Sequence, residues 1–292
     1  MTSTPRSARP EDDGVLLVGF DGSRDAAAAI AVAAHLLPAR HARVAHIWTS
    51  PGAGSALYRR LAQQARTTEH LRRLTRQEAA AAADGVAATG VALATAAGWT
   101  AEPVVRGEHS DEGADLAALA DELRPAAVVV GSRGTGGLRG LLGSVAEVVV
   151  HRSSVPVLVV PPLLAEERAA TSSGPALVAH DGSESAAYAH AVAADLLAPR
   201  LLVPVHVESP MSDGSGELGE PGVPTDALRL RPDGFGPVAA AGAVAREAAT
   251  QGAGAIVVGS RRRSLVREVV LGSHARAVLH HGHRPVLVVP PP

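Results

Sequence analysis

Short apolar runs alternate along this chain with longer segments in which apolar residues recur every three to four positions, and the alternation occurs twice. The first cycle opens with VLLVGF, closed by Asp21-Gly22-Ser23. A short Val/Leu run ending in turn residues predicts a buried strand. The alanine-rich segment that follows predicts an amphipathic helix, with Asp21 or Ser23 capping the orphan amides of its first turn. RVAHIW predicts a second strand, the region from about Ala56 to Ala97 a long helix, TAEPVVR a third strand and DLAALADEL a helix. AAVVV, SVAEVVVHR and VPVLVV then read as strand, helix and strand.

The second cycle repeats the first. PALVAHDGSESAAYAHAVAADLL at 175 answers GVLLVGFDGSRDAAAAIAVAAHLL at 14, GAIVVGSRR at 254 answers AAVVVGSRG at 126, and GHRPVLVVPP answers SSVPVLVVPP. Asp21 pairs with Asp181 but Gly131 with Gly259, so the second copy is 32 residues shorter between these landmarks. The shortening falls where the Gly/Pro-rich ESPMSDGSGELGEPGVPTD stands in place of the long helix. Only ALRLRP and the helix PVAAAGAVAREAATQ follow it.

Strand and helix in alternation predict a parallel sheet covered on both faces. The expected fold is therefore α/β, with two Rossmann-like, doubly wound domains. Each has five strands in the flavodoxin-like order or its relative 3-2-1-4-5, and the second lacks its second helix. The expected boundaries are a disordered tail at 1–13, a first domain at 14–162, a linker LLAEERAATSSG at 163–174 and a second domain at 175–292.

Composition narrows the chemistry. A chain of 292 residues, 46% apolar and 19% charged, suits two globular domains. Its apolar runs fall short of the ~18–20 residues of a membrane span. Without a secretory signal in MTSTPRSARPEDDG and without cysteine, a cytoplasmic location is expected. The net charge of -2 leaves room only for a local anion site, with no broad nucleic-acid or membrane surface. The chain holds no lysine, which excludes a P-loop or Schiff-base lysine, and its 2% aromatic content argues against base-stacking platforms.

In a doubly wound sheet the ligand crevice opens beyond the carboxyl ends of the first and fourth strands. Those strands carry Asp-Gly-Ser and GSRGTGGLRGLLGS. Gly131, Gly134, Gly136, Gly137, Gly140 and Gly143 allow close backbone approach, and Gly143-Ser144 opens a helix whose free amides and dipole attract phosphate. Asp21 lies opposite, able to accept from a ribose or base. The same residues also read as a flexible connector and, for Asp21 and Asp181, as helix caps. Neither G-x-G-x-x-G nor G-x-x-x-x-G-K-[ST] occurs.

As a set, in this order and twice over, the V-x-x-D-G-S turn, the glycine loop and the P-V-L-V-V strand resemble the universal stress protein family. The chain resembles a tandem universal stress protein over roughly residues 14–162 and 175–292. The resemblance implies an adenine nucleotide alpha hydrolase-like (HUP-type) fold and ATP binding, with or without Mg2+, through a pattern G-x2-G-x9-G-[ST]. Gly131, Gly134, Gly143 and Ser144 match its phosphate-contacting positions, with Val145 next, and Asp21, in the turn with Gly22 and Ser23, matches the acidic position near the nucleoside. Eight residues separate Gly134 from Gly143 where the pattern has nine.

The second copy keeps Asp181, Gly259, the nine-residue gap, Gly272 and Ser273, but Arg262 replaces the second glycine. A side chain there fills phosphate space, so the second site is expected to be degenerate. Arg261, Arg262 and Arg263 read either as an anion clamp or as a solvated basic loop. The family implies a stress-response regulator or binding module. The alternatives are a nucleotide-free scaffold acting through protein contacts and a slow ATPase, for which no residue reads as a general base.

His280, His281 and His283 lack a neighbouring carboxylate or cysteine in sequence and are expected at the surface, with no metal. His46 and His206 end the second strands; without a G-x-S-x-G elbow they read as structural or crevice-lining. VPVLVV and RPVLVV would leave exposed sheet edges, so the two repeats are expected to pair through them as a pseudo-dimer. Homodimerisation of the whole chain is compatible with the sequence.

Overall fold

The computed structural model describes residues 14–38, 41–107, 111–134, 142–209, 221–262, 269–270 and 272–291. The expected tail at 1–13, Gly136, Gly137, Gly140 and Arg263 lie outside them. The first half runs β1 (Val15–Gly19), α1 (Arg24–Leu36), β2 (His41–Trp48), α2 (Ala56–Gln64), α3 (Thr68–Ala96), β3 (Thr100–Gly107), α4 (Glu112–Leu123), β4 (Ala127–Gly131), α5 (Ser144–Arg152) and β5 (Val157–Val160). After α6 (Ala165–Ser173), the second half runs β6 (Ala176–Ala179), α7 (Glu184–Leu196), β7 (Leu202–Val207), β8 (Leu228–Leu230), α8 (Gly236–Thr250), β9 (Ala255–Gly259), β10 (Arg261–Arg262), β11 (Val269–Val270), α9 (Ser273–His281) and β12 (Val286–Val289).

Ten strands form one sheet, in the order β3-β2-β1-β4-β5-β12-β9-β6-β7-β8. Each half therefore has the 3-2-1-4-5 order, and its internal pairings are parallel. At the centre β5 and β12 pair antiparallel, Val157 opposite Val288 and Val159 opposite Val286. This antiparallel seam joins two apolar strands and leaves neither with an open edge. Each face of the sheet then carries one continuous apolar cluster drawn from both halves.

Glu147 and Arg276, each three residues beyond its Gly-Ser pair, meet across the seam with Nη2 donating to Oε1 at 2.6 Å. Equivalent positions carry opposite charges, so pairing unlike halves joins them, whereas pairing like halves would juxtapose like charges.

Three local readings change. The long helix expected from Ala56 to Ala97 is broken after Gln64, because Thr67 takes an extended backbone (φ -144°, ψ 160°) and its hydroxyl caps the His70 amide at 3.1 Å. A β-branched residue with a side-chain acceptor favours such a cap over a helix interior.

The expected linker at 163–174 carries the helix α6, started where Glu167 Oε2 accepts from the Leu164 amide at 2.8 Å. Arg200 donates from its guanidinium to carbonyls of Gly174, Thr171 and His35, binding the ends of α6 and α1 together.

The third concerns α3, which is long and apolar enough to cross a membrane by length and composition. Its buried positions Thr75, Ala79, Ala83, Ala87, Gly90 and Ala94 recur at helical spacing and lie against β2, β3 and α1. Small residues on that stripe let the helix settle closely on the sheet.

Among the described residues no helix joins β7 to β8. In the first half Val86 of α3 covers the Asp-Gly-Ser turn, 3.5 Å from where a Cβ on Gly22 would stand. In the second half Val223 covers Gly182 at the same 3.5 Å. A loop residue thus does the covering that a helix does in the first copy.

Candidate functional site

Each Asp-Gly-Ser turn is built the same way. Gly22 and Gly182 have φ of 81° and 77°, values an L side chain rarely adopts. Asp21 Oδ1 accepts from the Ser23 amide at 2.9 Å, and Ser23 Oγ caps the Ala26 amide at 3.1 Å. Asp181 and Ser183 repeat this at 3.1 and 3.2 Å. The helix caps are therefore the serines, while the aspartates brace the turn and line the crevices.

The first crevice, about 370 Å3, opens beyond the ends of β1 and β4. It gathers Asp21, Gly131, Gly134, Gly143, Ser144 and Val145 from the sequence reading. Gly22 and Ser23 stand behind this wall, shaping the turn. A Cβ on Gly131 would lie 3.0 Å from the Asp25 carbonyl carbon, so glycine lets the strand end pass the start of α1 without pushing on its backbone. A Cβ on Gly134 would lie 2.8 Å from Asp21 Oδ2, so glycine keeps the two sides of the crevice close. The Gly143 amide donates to Ser132 O at 2.7 Å and closes the base of the glycine loop.

Helix α5 then starts on Gly143 without a side-chain cap, in contrast to the Ser, Thr and Asp caps of α1 to α4. Its first-turn amides and dipole suit an anion. Phe20, Glu112, Leu116 and Arg133 complete the wall; none of them was singled out from sequence.

The second crevice is larger, about 670 Å3. It gathers Asp181, Gly259, Gly272 and Ser273, with His180, His206, Glu208 and His274, under Ala240, Ala241 and Val244 of α8. The expectation that this half is the degenerate one meets a cavity wider than the first. Arg262 lies in β10, whose backbone pairs antiparallel with β11, Arg262 opposite Val269. Residues 263–268 and 271 lie outside the described residues.

His46 and His206 hold equivalent places. Nδ1 of His46 bonds Phe20 O at 2.9 Å, and Nδ1 of His206 bonds His180 O at 2.8 Å. A carbonyl only accepts, so both rings carry a proton on Nδ1. They fasten the second strand to the end of the first and line the crevices. His280 and His281 lie at the end of α9 with ring centroids 6.3 Å apart.

Burial is the main force lowering the pKa of His180, with His190 and His206 adding to it and Asp181 opposing. Burial also lowers His280, helped by Arg276 and His281 and opposed by Glu147. With folded values below the ordinary 6.5, the unfolded chain takes up protons that the folded chain refuses. This contribution to stability is present above about pH 6.5 and declines as pH falls below it. Urea unfolding at about pH 5.5 should give a lower free energy than at about pH 7.5, and a His180→Phe, His280→Gln pair should flatten the slope. An unchanged slope in the pair would rule these residues out as its source.

The sequence model of the universal stress protein family matches residues 14–161 and 237–290, more than half of the chain. The chain belongs to the universal stress protein family. Solved structures share its fold. A universal stress protein from Archaeoglobus fulgidus DSM 4304 is 20% identical, with a TM-score of 0.64 over 95% of this chain and 98% of that one. A functionally unknown protein from Pseudomonas aeruginosa PAO1 is 16% identical, with a TM-score of 0.55 over 95% of this chain and 92% of that one. No curated protein matches the sequence.

The segment of this universal stress protein that the family sequence model leaves unmatched, 162–236, includes α6, β6, α7, β7 and β8. That segment nevertheless repeats the first-half strand order, so the divergence lies in side chains and connections rather than in the sheet.

Proposed function

We propose that this universal stress protein binds ATP in the first crevice and acts as a cytoplasmic, nucleotide-dependent regulator or binding module rather than as an efficient enzyme. The observation that carries the reading is the convergence of Asp21, Gly131, Gly134, Gly143 and Ser144 on one crevice closed by an uncapped helix start. The residues suit the ligand. A side chain on Gly131 would crowd the Asp25 carbonyl and one on Gly134 would push on the Asp21 carboxylate, Ser144 and the α5 amides suit phosphate, and Arg133 adds a cation. Asp21 and His46 lie at the end suited to ribose and base.

Mg2+ held mainly by phosphate needs only one or two protein carboxylates, and Asp21 and Glu112 line the crevice. Among the described residues no group of three or more His, Cys, Asp or Glu gathers as a dedicated metal site. Among the described lining residues, none is a histidine or carboxylate hydrogen-bonded to a serine hydroxyl that faces the crevice, which supports binding over turnover.

Titration of the full chain with ATP, with mass analysis for co-purified adenine nucleotide, tests the reading. Wild type should bind one ATP in the first crevice, and Gly134→Arg should weaken that site at least 100-fold. Equal ATP affinity in wild type and Gly134→Arg would overturn the assignment, and absence of any bound nucleotide would favour the scaffold alternative.

A further inference from the structure

The net charge of -2 hides an uneven distribution. Residues 55–78, which supply α2, its link to α3 and the start of α3, carry Arg59, Arg60, Arg66, Arg72, Arg73 and Arg76 against only Glu69 and Glu78. All six arginines are exposed. Arg72 meets Glu69 at 3.7 Å with both side chains in solvent, and among the described residues the other five enter no ion pair.

The fold brings these charges level with one another. Arg59 and Arg60 precede the end of α2 at Gln64 by five and four residues, and Arg72 and Arg73 follow the start of α3 at Thr68 by four and five. The two helices pack on each other, with Arg66 in the short link between them. At the rise of an α-helix both pairs lie about 6–8 Å from that link. Arg76 shares a face of α3 with Arg72 and Arg73 at i+4 and i+3. Like charges at that spacing weaken a helix, so folding gains nothing from the pattern and a ligand of opposite charge accounts for it.

The arm also stands off the body. Leu61 and Thr75 are the only buried residues from 55 to 78, and α2 packs chiefly on α3. Among the described residues the second copy has no helix at this place.

The rest of the arm's surface selects the class of anion. Leu57, Tyr58, Leu71 and Leu74 are half-buried, and no large apolar side chain of the arm is exposed. An interfacial membrane helix needs an exposed apolar face, and a protein interface needs an apolar or aromatic anchor at its centre. The arm offers neither. Interfaces with nucleic acid are the polar, strongly positive ones, in which arginine contacts phosphate directly. Single strands call for stacking aromatics, whereas Tyr58 is half-buried and the chain is 2% aromatic.

We propose that the α2–α3 arm binds the phosphate backbone of double-stranded nucleic acid without reading its sequence. The guanidiniums of Arg59, Arg60, Arg66, Arg72, Arg73 and Arg76 reach phosphates as the convex arm lies along the duplex. This surface is separate from the first crevice, so loss of either binding leaves the other standing.

The test follows fluorescence anisotropy of a labelled duplex of about 20 base pairs, as DNA and as RNA, titrated with the full chain at about 50 mM salt and above. Binding should be micromolar, with a slope of log affinity against log salt of about -4 to -5. The pair Arg72→Gln, Arg73→Gln, which keeps good helix formers at both positions, should weaken binding at least tenfold and flatten the slope by about 2. The pair Arg168→Gln, Arg229→Gln removes the same charge elsewhere on the surface and should stay within threefold of wild type. Circular dichroism checks that each variant is folded. Binding of either duplex in this pattern bears the proposal out, and comparing the two shows whether DNA or RNA is held more tightly. Absence of saturable binding, or equal weakening by both pairs, would overturn it. So would phosphatidylserine vesicles binding as tightly as the duplex, or polyglutamate displacing the labelled duplex as well as unlabelled duplex does, since these make the occupant a membrane or an acidic polypeptide.

Discussion

Replacing Arg284 with alanine is expected to lower the unfolding free energy by about 3–5 kcal/mol, the usual cost of removing one partner of a buried ion pair. The Arg284 and Glu167 side chains are 9% and 15% exposed and meet at 3.1 Å. Arg284 also donates from Nε to Ala253 O at 2.8 Å and from Nη1 to His283 O at 3.0 Å. Glu167 in turn holds the Leu164 amide. The pair therefore fastens α6 to the turn before β9 and to the start of β12. Truncation strands the carboxylate in a site from which water is largely excluded, and that uncompensated charge is the main cost.

Replacing both residues, Arg284→Met with Glu167→Leu, removes the stranded charge and should recover much of the loss. Urea denaturation followed by circular dichroism measures both variants. A single variant within about 0.5 kcal/mol of wild type would show that the pair is solvated and the argument mistaken.

The second large effect is expected from Gly90→Leu. Gly90 lies in the middle of α3, where a Cβ would stand 2.7 Å from Phe20 Cδ1 and 2.7 Å from Val44 Cγ1. Leucine is the better helix former, a gain of somewhat under about 1 kcal/mol. Forcing its side chain into a close-packed contact costs about 1–3 kcal/mol and dominates.

The strain falls on Phe20, which also lines the first crevice. Net destabilisation should thus come with at least tenfold weaker ATP binding, while the second crevice, which lacks a counterpart of α3 among the described residues, should be spared. Unchanged ATP affinity in a destabilised variant would show that Phe20 can shift without disturbing the site.

Much of the architecture was legible because strand and helix periodicities are local. VLLVGF, AAVVV and VPVLVV announce themselves through apolar content and turn residues, and the Asp-Gly-Ser turns follow from a glycine needed at positive φ. Which residue of each turn caps its helix stayed open between Asp and Ser until the structure gave the role to the serines. The linker misled, because AEERAATSSG lacks a strong apolar stripe, and its helix depends on Arg200 and Arg284, contributed from elsewhere in the chain. The break at Thr67 was also hidden, since one cap inside a helical stretch competes with propensities that favour continuation.

The candidate site divides in the same way. Asp21, Gly131, Gly134, Gly143 and Ser144 stood out as polar or glycine residues at strand ends, whereas Phe20, Leu116 and Glu112 look like ordinary core or surface residues until the fold faces them inward.

By itself the sequence determined two copies of a strand-turn-helix alphabet, their parallel pairing and the residues able to face an anion, since these depend on spacing and on backbone freedom. The sequence also led one to expect the two halves to meet through their terminal strands VPVLVV and RPVLVV, as they do; only the tertiary structure decided that they pair antiparallel to make one ten-stranded sheet, and that the second crevice is the wider one. Both depend on side chains distant in sequence: Val157 meeting Val288 at the seam, and Ala240 and Val244 standing where Glu112 and Leu116 narrow the first copy.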